Sequence, residues 1–204
     1  HLMGVLFYNN LPKTQLLKNS SFEQPFVIYG TVSPNWYAIT SDSNKAIATR
    51  QSEIVASSKF AAKLELKTST NSKAVSINQK LVLGAAAPGD VFSISCLIRG
   101  NGYSQSAKLF LNLTVLLNDV VIETISKKLF PPSDVDFNNI YETLRIKNYT
   151  GLTNQGLSLI VSYVVSGDAA SSGVYYLDNA KLESSNKPTQ WSPSSGEPNI
   201  TQPS

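Results

Sequence analysis

The residues that carry catalysis in most enzymes are scarce in this chain, which has one cysteine and one histidine among 204 residues. Cys96 cannot by itself form an intrachain disulfide, a redox pair or a cysteine-rich zinc site, and the alternating stretch VFSISCLI around it predicts core packing. His1 belongs to HLM, which has the form of a cleaved expression tag. We therefore exclude Ser-His-Asp and Cys-His catalysis and histidine-based zinc chemistry.

Carboxylates, lysines and tyrosines are the remaining candidates for catalysis. Asp134 and Asp136 have the DxD spacing that can hold a metal on nucleotide-sugar enzymes, but they follow Pro-Pro in a loop, which favours turn chemistry. The sequence contains no GxGxxG, GxxxxGK(S/T) or GxSxG motif, so dinucleotide, P-loop and α/β-hydrolase sites are excluded. A glycosidase with two carboxylates stays open as an alternative, because its distance criterion is spatial. We expect a protein that is not an enzyme.

Sugar recognition is the second chemistry that the residue types allow. A flat aromatic ring packs against the C–H groups of a pyranose, while amide and guanidinium groups bind its hydroxyls. The candidate ligand-binding residues are Trp36, Tyr37, Tyr103, Gln79, Arg99 and Tyr176. Trp36 and Tyr37 are adjacent and so point to opposite sides of an extended segment, which predicts one core ring and one exposed ring. Tyr103, in the polar loop GNGYSQS, is the best candidate for an exposed ring.

Gln79, Arg99 and Asn112 lie on predicted strands, where they could line a concave face. The alternative for these residues, and for Tyr176, is an ordinary solvated sheet face.

The composition limits the classes of partner that the chain is expected to bind. Charged residues make up 15% of the chain and hydrophobic residues 42%, and the formal net charge is +3. The basic residues are scattered and form no stripe that could neutralise a row of phosphates, so nucleic acid is not expected as a partner. No run of about 18 apolar residues occurs, so we expect no membrane insertion. The length favours one domain.

The periodicity predicts strands throughout. Eight segments alternate or are rich in β-branched and aromatic residues: 60–68, 73–83, 90–100, 108–118, 120–129, 141–150, 157–167 and 173–183. Turn signals separate them, and LNDVV predicts a hairpin with Asn118 and Asp119 as its two turn residues. Strands at this spacing, with no helix-length amphipathic stretch, predict an all-β antiparallel β-sandwich or barrel.

Four stretches, in order, resemble one family of β-sandwiches. LLKNSSFE followed by Trp36, then SSKFAAKLEL, VSINQKLVLGAAAPGDVFSISCLIRG and GVYYLDNAKLE are similar to the sequence signatures of carbohydrate-binding-module-like jelly rolls of the family 4, 9 and 22 type. The match runs from Leu16 to Glu183 and implies a jelly roll over 16–183. Ser20 and Asn35 stand where the family has glycine. Family precedent favours a packing role for Trp36.

The same resemblance implies a structural Ca²⁺ ion. In related modules a carboxylate from the first segment and an aspartate from the last strand meet at the sheet edge and hold the ion with backbone carbonyls. Glu23 and Asp178 occupy the matching positions. Two carboxylates together with carbonyls supply the oxygens that Ca²⁺ prefers. The alternative is that Glu23 is solvated and Asp178 caps a turn.

The closing stretch NKPTQWSPSSGE is similar to the end of jelly-roll domains in phage tail and baseplate proteins. We expect 1–15 to be a tag remnant and N-terminal segment, and 184–204, rich in Ser and Pro, to be a tail or linker, with Trp191 packing on a neighbouring domain or subunit. The chain is expected to come from a longer protein. The expected function is glycan binding by a phage receptor-binding protein, in a virion or outside the cell.

The expected partners are cell-surface or polymeric carbohydrate and other tail subunits or flanking domains, with a homotrimer as one arrangement. The alternatives are an assembly domain without glycan affinity and an accessory module of a secreted glycoside hydrolase.

Overall fold

The computed structural model describes residues 13–25, 27–28, 35–82, 89–129, 133–147 and 157–193. Eleven strands and no helix occur in these residues, which confirms the all-β prediction. The strands are β1 (Val27–Ile28), β2 (Tyr37–Thr40), β3 (Ala46–Gln51), β4 (Ala61–Leu66), β5 (Lys73–Val82), β6 (Val91–Asn101), β7 (Lys108–Leu117), β8 (Val120–Leu129), β9 (Asn138–Arg145), β10 (Leu157–Gly167) and β11 (Gly173–Glu183). The described residues include no helix long and apolar enough to cross a membrane.

The strands form two sheets. Sheet A has six strands in the order β1-β2-β5-β10-β7-β8, and sheet B has five in the order β3-β4-β11-β6-β9. All pairs are antiparallel except β1 with β2. The two sheets form the predicted β-sandwich, a jelly roll.

The core lies between the inner faces of the two sheets. Strand β7 alternates between half-buried and buried residues from Lys108 to Val115, and the inward side chains of β7 and β10, such as Leu111, Leu113 and Val161, are fully buried. Such alternation is expected when a strand buries one face only. Cys96 is also buried and free, which confirms its predicted place in the core. The Tyr163 hydroxyl donates to the Ser95 carbonyl at 2.9 Å and so links the sheets through the core.

The hairpin between β7 and β8 has the predicted turn. Asn118 and Asp119 have φ values of 50° and 64°, the left-handed values that a two-residue turn of this kind requires. Asp119 also pairs with Lys80 at 2.6 Å, which ties the turn to β5.

The segment that follows β11 is a correction to the predicted tail. Residues 184–193 pack across the outer face of sheet B, where Ser93 and Thr143 donate to the carbonyls of Ser185 and Asn186. Trp191 is 8% exposed and donates to the Ala180 carbonyl, so it packs on its own domain. Residues 194–204, the rest of the predicted tail, lie outside the described residues, as do 1–12.

Candidate functional site

Strand β11 carries a bulge where the predicted metal ligand lies. Its pairing with β6 shifts register between Asp178 and Lys181, and Asn179 within the bulge has a φ of 48°. Asparagine tolerates this left-handed conformation better than most residues. A bulge redirects the side chains beside it, and bulges are frequent next to functional sites.

Asp178 binds the backbone of the loop that precedes β4. Its Oδ2 accepts hydrogen bonds from the amides of Ala56 and Ser57 at 3.0 and 3.1 Å, and its Oδ1 accepts one from Asn179 at 2.9 Å. The carboxyl is fully buried. Burial, followed by a smaller effect of the Glu23 carboxylate, raises the pKa of Asp178 to about 7, against the opposing effect of these three amides.

Glu23 binds the next residues of the same loop. One of its carboxylate oxygens accepts from the Ser58 hydroxyl and, at 2.8 Å, from the Lys59 amide; the other accepts from the Phe60 amide at 3.0 Å. Arg50 donates to the Glu23 carbonyl and lies 3.7 Å above the Phe60 ring. The two carboxylates, from opposite ends of the chain, therefore hold one loop.

These two carboxylates fit a metal site in part. The four carboxylate oxygens of Glu23 and Asp178 offer about eight acceptor positions. Six N–H and O–H groups of the protein donate to them. A Ca²⁺ ion takes about six to eight oxygens, so most of its ligands would have to be carbonyls or hydroxyls. The described residues contain no cluster of three or more metal-ligating side chains. Glu23 and Asp178 would be the acidic ligands, and the ion would add a further link between the ends of the chain.

Trp36 and Gln79 lie in the interior, which corrects their prediction as ligand-binding residues. Trp36 has no exposed surface, packs against Phe22 and Tyr163, and donates to the Asn19 carbonyl at 2.9 Å. A ring with no exposed face cannot stack on a sugar.

Gln79 points into the core between sheets. Its side chain is 1% exposed and forms a pair of hydrogen bonds with the backbone of Lys18, at 2.6 and 2.9 Å. It therefore anchors the N-terminal segment instead of lining an open face.

Tyr103 is also less accessible than predicted. Its ring is half-buried and stacks on Tyr175, with centroids 5.4 Å apart. Gly173 makes this packing possible, since a Cβ there would lie 2.2 Å from the Tyr103 Cα. Tyr176 and Arg99 are direct neighbours in register on the outer face of sheet B, and Tyr176 is buried.

Tyr37 lies on the outer face of the other sheet, so the six predicted residues do not form one site. It is buried instead of exposed, so the expected pairing of a core ring with an exposed ring is wrong. Burial raises the pKa of its phenol, and the neighbouring Lys80 opposes the rise. Tyr37 begins a row of polar side chains that crosses five adjacent strands of sheet A. In register the row reads Tyr37, Asn78, Ser162, Asn112 and Ser126.

The members of this row interact with one another. Asn78 donates to the Tyr37 carbonyl at 3.2 Å, and Ser126 donates to Asn112 Oδ1 at 2.6 Å. The sequence predicts Tyr37 and Asn112 as possible contact residues but does not single out Asn78, Ser162 and Ser126. Asn78 and Ser162 could have been found from the alternation of polar and apolar residues in VSINQ and SYVVS.

Two further rows lie on either side of this polar row, one mostly apolar and one with a single apolar residue, Ile160. One reads Ile39, Ser76, Val164, Phe110 and Lys128, and the other reads Lys80, Ile160, Thr114 and Thr124. Phe110, Val164 and Ile160 are half-buried and Ile39 is exposed. We call the outer surface formed by these three rows the sheet A face. It combines hydroxyl and amide groups with apolar ones and has no carboxylate in its rows.

No protein-family model matches the chain, and no curated protein is similar to it in sequence. Solved structures do match its fold. The enzymatically active domain of tailspike protein 4 of bacteriophage CBA120 superposes with a TM-score of 0.56 at 12% identity, over 83% of this chain and 21% of the tailspike. The chain thus spans about a fifth of the tailspike structure.

Two carbohydrate-binding modules match over nearly their whole length. The CBM22-1 xylan-binding domain of Paenibacillus barcinonensis Xyn10C has a TM-score of 0.52 at 14% identity, over 84% of this chain and 95% of the module. TmCBM61, solved in complex with β-1,4-galactotriose, has a TM-score of 0.50 at 17% identity, over 84% of this chain and 99% of the module. The chain therefore has the jelly-roll fold of carbohydrate-binding modules, as its sequence motifs predict.

Proposed function

We propose that the chain is a non-catalytic carbohydrate-binding module that binds a neutral polysaccharide along the sheet A face. The observation that carries the proposal is the polar row from Tyr37 to Ser126, which lies beside the mostly apolar row that contains Val164 and Phe110. Asn112 is half-buried and Ser126 is exposed, whereas Tyr37, Asn78 and Ser162 are buried, so the accessible amide and hydroxyl groups of the row lie on β7 and β8. The fold shared with carbohydrate-binding modules supports the same class of ligand.

The chemistry of the face favours a neutral glycan and no catalysis. Phe110 and Val164 offer apolar surface for the C–H groups of a sugar, and Asn112 offers amide groups for its hydroxyls. Hydrolysis of a glycosidic bond requires two carboxyl groups beside the bond. The three rows contain none, and their lysines lie at the margins.

The wider role that we propose is host adhesion as part of a phage tail or receptor-binding protein, in a virion or outside the cell. The tailspike match and the ending NKPTQWSPSSGE support it. An assembly domain is a second candidate, because Val120 and Val121 at the β7–β8 hairpin are 65% and 56% exposed. The oligomeric state, measured by light scattering, helps to distinguish the adhesion role from the assembly role. A homotrimer favours assembly with other subunits. A monomer with glycan affinity favours an adhesion or accessory module.

The direct test is affinity electrophoresis in gels that contain neutral microbial or plant polysaccharides. We expect retention by at least one polysaccharide, and about tenfold weaker binding for Phe110→Ala and for Asn112→Ala, the change that about 1.4 kcal/mol produces. Tyr141→Ala is the matched control, since this ring is 54% exposed on β9 of the opposite sheet. Equal binding by Phe110→Ala and the wild type would contradict a site on the sheet A face.

A further inference from the structure

A pocket of about 860 Å³ lies on the outer face of sheet B, on the opposite side of the sandwich from the sheet A face. Its walls come from the loop before β4, with Val55 and Ala56, from the start of β9, and from the segment after β11, with Trp191. The volume is within the range of about 300–1,000 Å³ that is usual for ligand sites. The segment after β11, for which the composition predicts a tail or linker, thus forms one wall of this pocket.

Asn179 supplies an unpaired polar group to this pocket. Its side chain is 2% exposed, and its Nδ2 has no hydrogen-bond partner among the described residues. Ser57 donates to its Oδ1 at 2.7 Å, which fixes the amide and leaves Nδ2 as the free donor. A buried donor without an acceptor is unfavourable, so an acceptor from a ligand would be bound favourably.

The elements around Asn179 hold it in this position. The bulge of β11 gives Asn179 its left-handed conformation, and the neighbouring Asp178 binds the amides of Ala56 and Ser57. The loop that forms one wall is therefore fixed by the same strand that presents the donor. A site whose groups are held before binding loses less entropy when the ligand binds.

The lining of the pocket indicates the chemical class of the ligand. Among the described residues that line it there is no lysine or arginine, and Asp136 is the one charged residue, so these residues offer no cation to a phosphate or sulfate group. The polar lining is otherwise made of amide and hydroxyl groups, from Ser95, Asn138, Asn139, Asn179, Thr189 and Gln190. Trp191 and Phe137 add aromatic surface beside them. Amides beside aromatic rings match the hydroxyl groups and C–H faces of a neutral sugar.

We propose that this pocket is a second glycan-binding site, which takes a single neutral sugar unit with one of its oxygen atoms accepting from Asn179 Nδ2. The site is separate from the sheet A face and goes beyond the function proposed above. It would let one domain contact two chains, or two parts of one chain, of a surface polysaccharide.

The test is a titration of the full chain with the methyl glycosides of glucose, galactose and N-acetylglucosamine, followed by two-dimensional ¹H–¹⁵N NMR. The chain has two tryptophans, so it gives two indole N–H signals, and Trp36 is buried away from this pocket. We expect at least one glycoside to shift the Trp191 indole and the Asn179 side-chain amide saturably. The absence of a saturable shift at Trp191 with all three glycosides would overturn the proposal.

Two variants and two matched controls make the test specific. Asn179→Gly keeps the left-handed conformation and removes the donor, and Asn139→Trp fills the pocket from an exposed position; each should weaken binding at least tenfold. Asn118→Gly, also at a left-handed asparagine, and Asn71→Trp, in an exposed turn, should bind as the wild type does. Full binding by both pocket variants would also overturn the proposal.

A further variant separates this proposal from the proposed function. Phe110→Ala should leave the glycoside shifts at Trp191 unchanged while it weakens polysaccharide retention. Loss of the Trp191 shifts in Phe110→Ala would contradict the proposal that the pocket and the sheet A face bind glycans independently.

Discussion

At the residue scale, Asp178 is a fully buried carboxyl whose pKa is raised to about 7, chiefly by burial. The folded state then binds the proton more tightly than the unfolded state, whose pKa lies near 3.8. The stability that this group contributes is therefore fully present below about pH 4 and is lost as the pH rises towards 7.

We expect Asp178→Asn to remove this part of the pH dependence. Relative to the wild type, the free energy of unfolding of the variant should fall less between pH 4 and 7, by up to about 4 kcal/mol for a shift of this size. Urea denaturation at a series of pH values measures the difference. If the free energy of unfolding depends on pH in the same way in both proteins, the raised pKa of Asp178 is contradicted.

Calcium is a second prediction at this scale. If Glu23 and Asp178 hold a Ca²⁺ ion, excess EDTA should lower the melting temperature and added CaCl₂ should restore it, because the ion stabilises only the folded state. Asp178→Asn should abolish the response. An unchanged melting temperature in excess EDTA would count against a bound ion.

Single residues were predictable from sequence where their position in a motif was the signal. The motif positions of Glu23 and Asp178 indicate that the two carboxylates meet, and both bind the loop from Ala56 to Phe60, while their role as metal ligands stays a prediction. Alternation predicts one core ring and one exposed ring for Trp36 and Tyr37, but both are buried, because burial on the outer face of a sheet depends on neighbours that alternation does not reveal. Asn179 was missed because its role depends on a bulge that only strand pairing reveals.

At the scale of elements, the segment after β11 is predicted to contribute stability. Trp191 fills a site on sheet B, and Thr189 and the Gln190 carbonyl bind the buried pair of Lys181 and Glu183, whose charged groups lie 3.6 Å apart. We expect Trp191→Ala to lower the free energy of unfolding by about 3 kcal/mol, the usual cost of removing a buried tryptophan.

Lys187→Ala is the control for this prediction, because its side chain is exposed in the same segment and its loss should cost no more than about 0.5 kcal/mol. Equilibrium unfolding in urea measures both variants. A loss below about 1 kcal/mol for Trp191→Ala would mean that the segment is not firmly packed.

Elements were predicted well where periodicity was strong. β8 and β11 have the predicted bounds, because ten or more residues alternate between clear turn signals. β1, β2 and β3 were not predicted, since they are two to six residues long and β3 ends in the polar sequence TRQ. The packing of residues 184–193 could not be read from composition, because it depends on hydroxyl and carboxylate partners supplied by sheet B.

At the scale of the whole molecule, the sequence predicted a sandwich of two sheets but not the order of their strands. The polar row exists because β2, β5, β10, β7 and β8 are neighbours in sheet A with one particular register. A shift of one residue in any of these strands would turn its polar set into the core. Pairing of this kind is non-local, so alternation in single strands predicts polar positions but not the surface that they form together.

The most direct test of the account is a map of the bound glycan. An oligosaccharide from a polysaccharide that retains the protein in a gel would be titrated into ¹⁵N-labelled protein, with the backbone amide signals recorded at each step. The account predicts the largest shifts at Phe110, Asn112 and Ser126, on β7 and β8 of the sheet A face. Shifts that leave these strands unaffected, or no binding to any glycan tested, would contradict it.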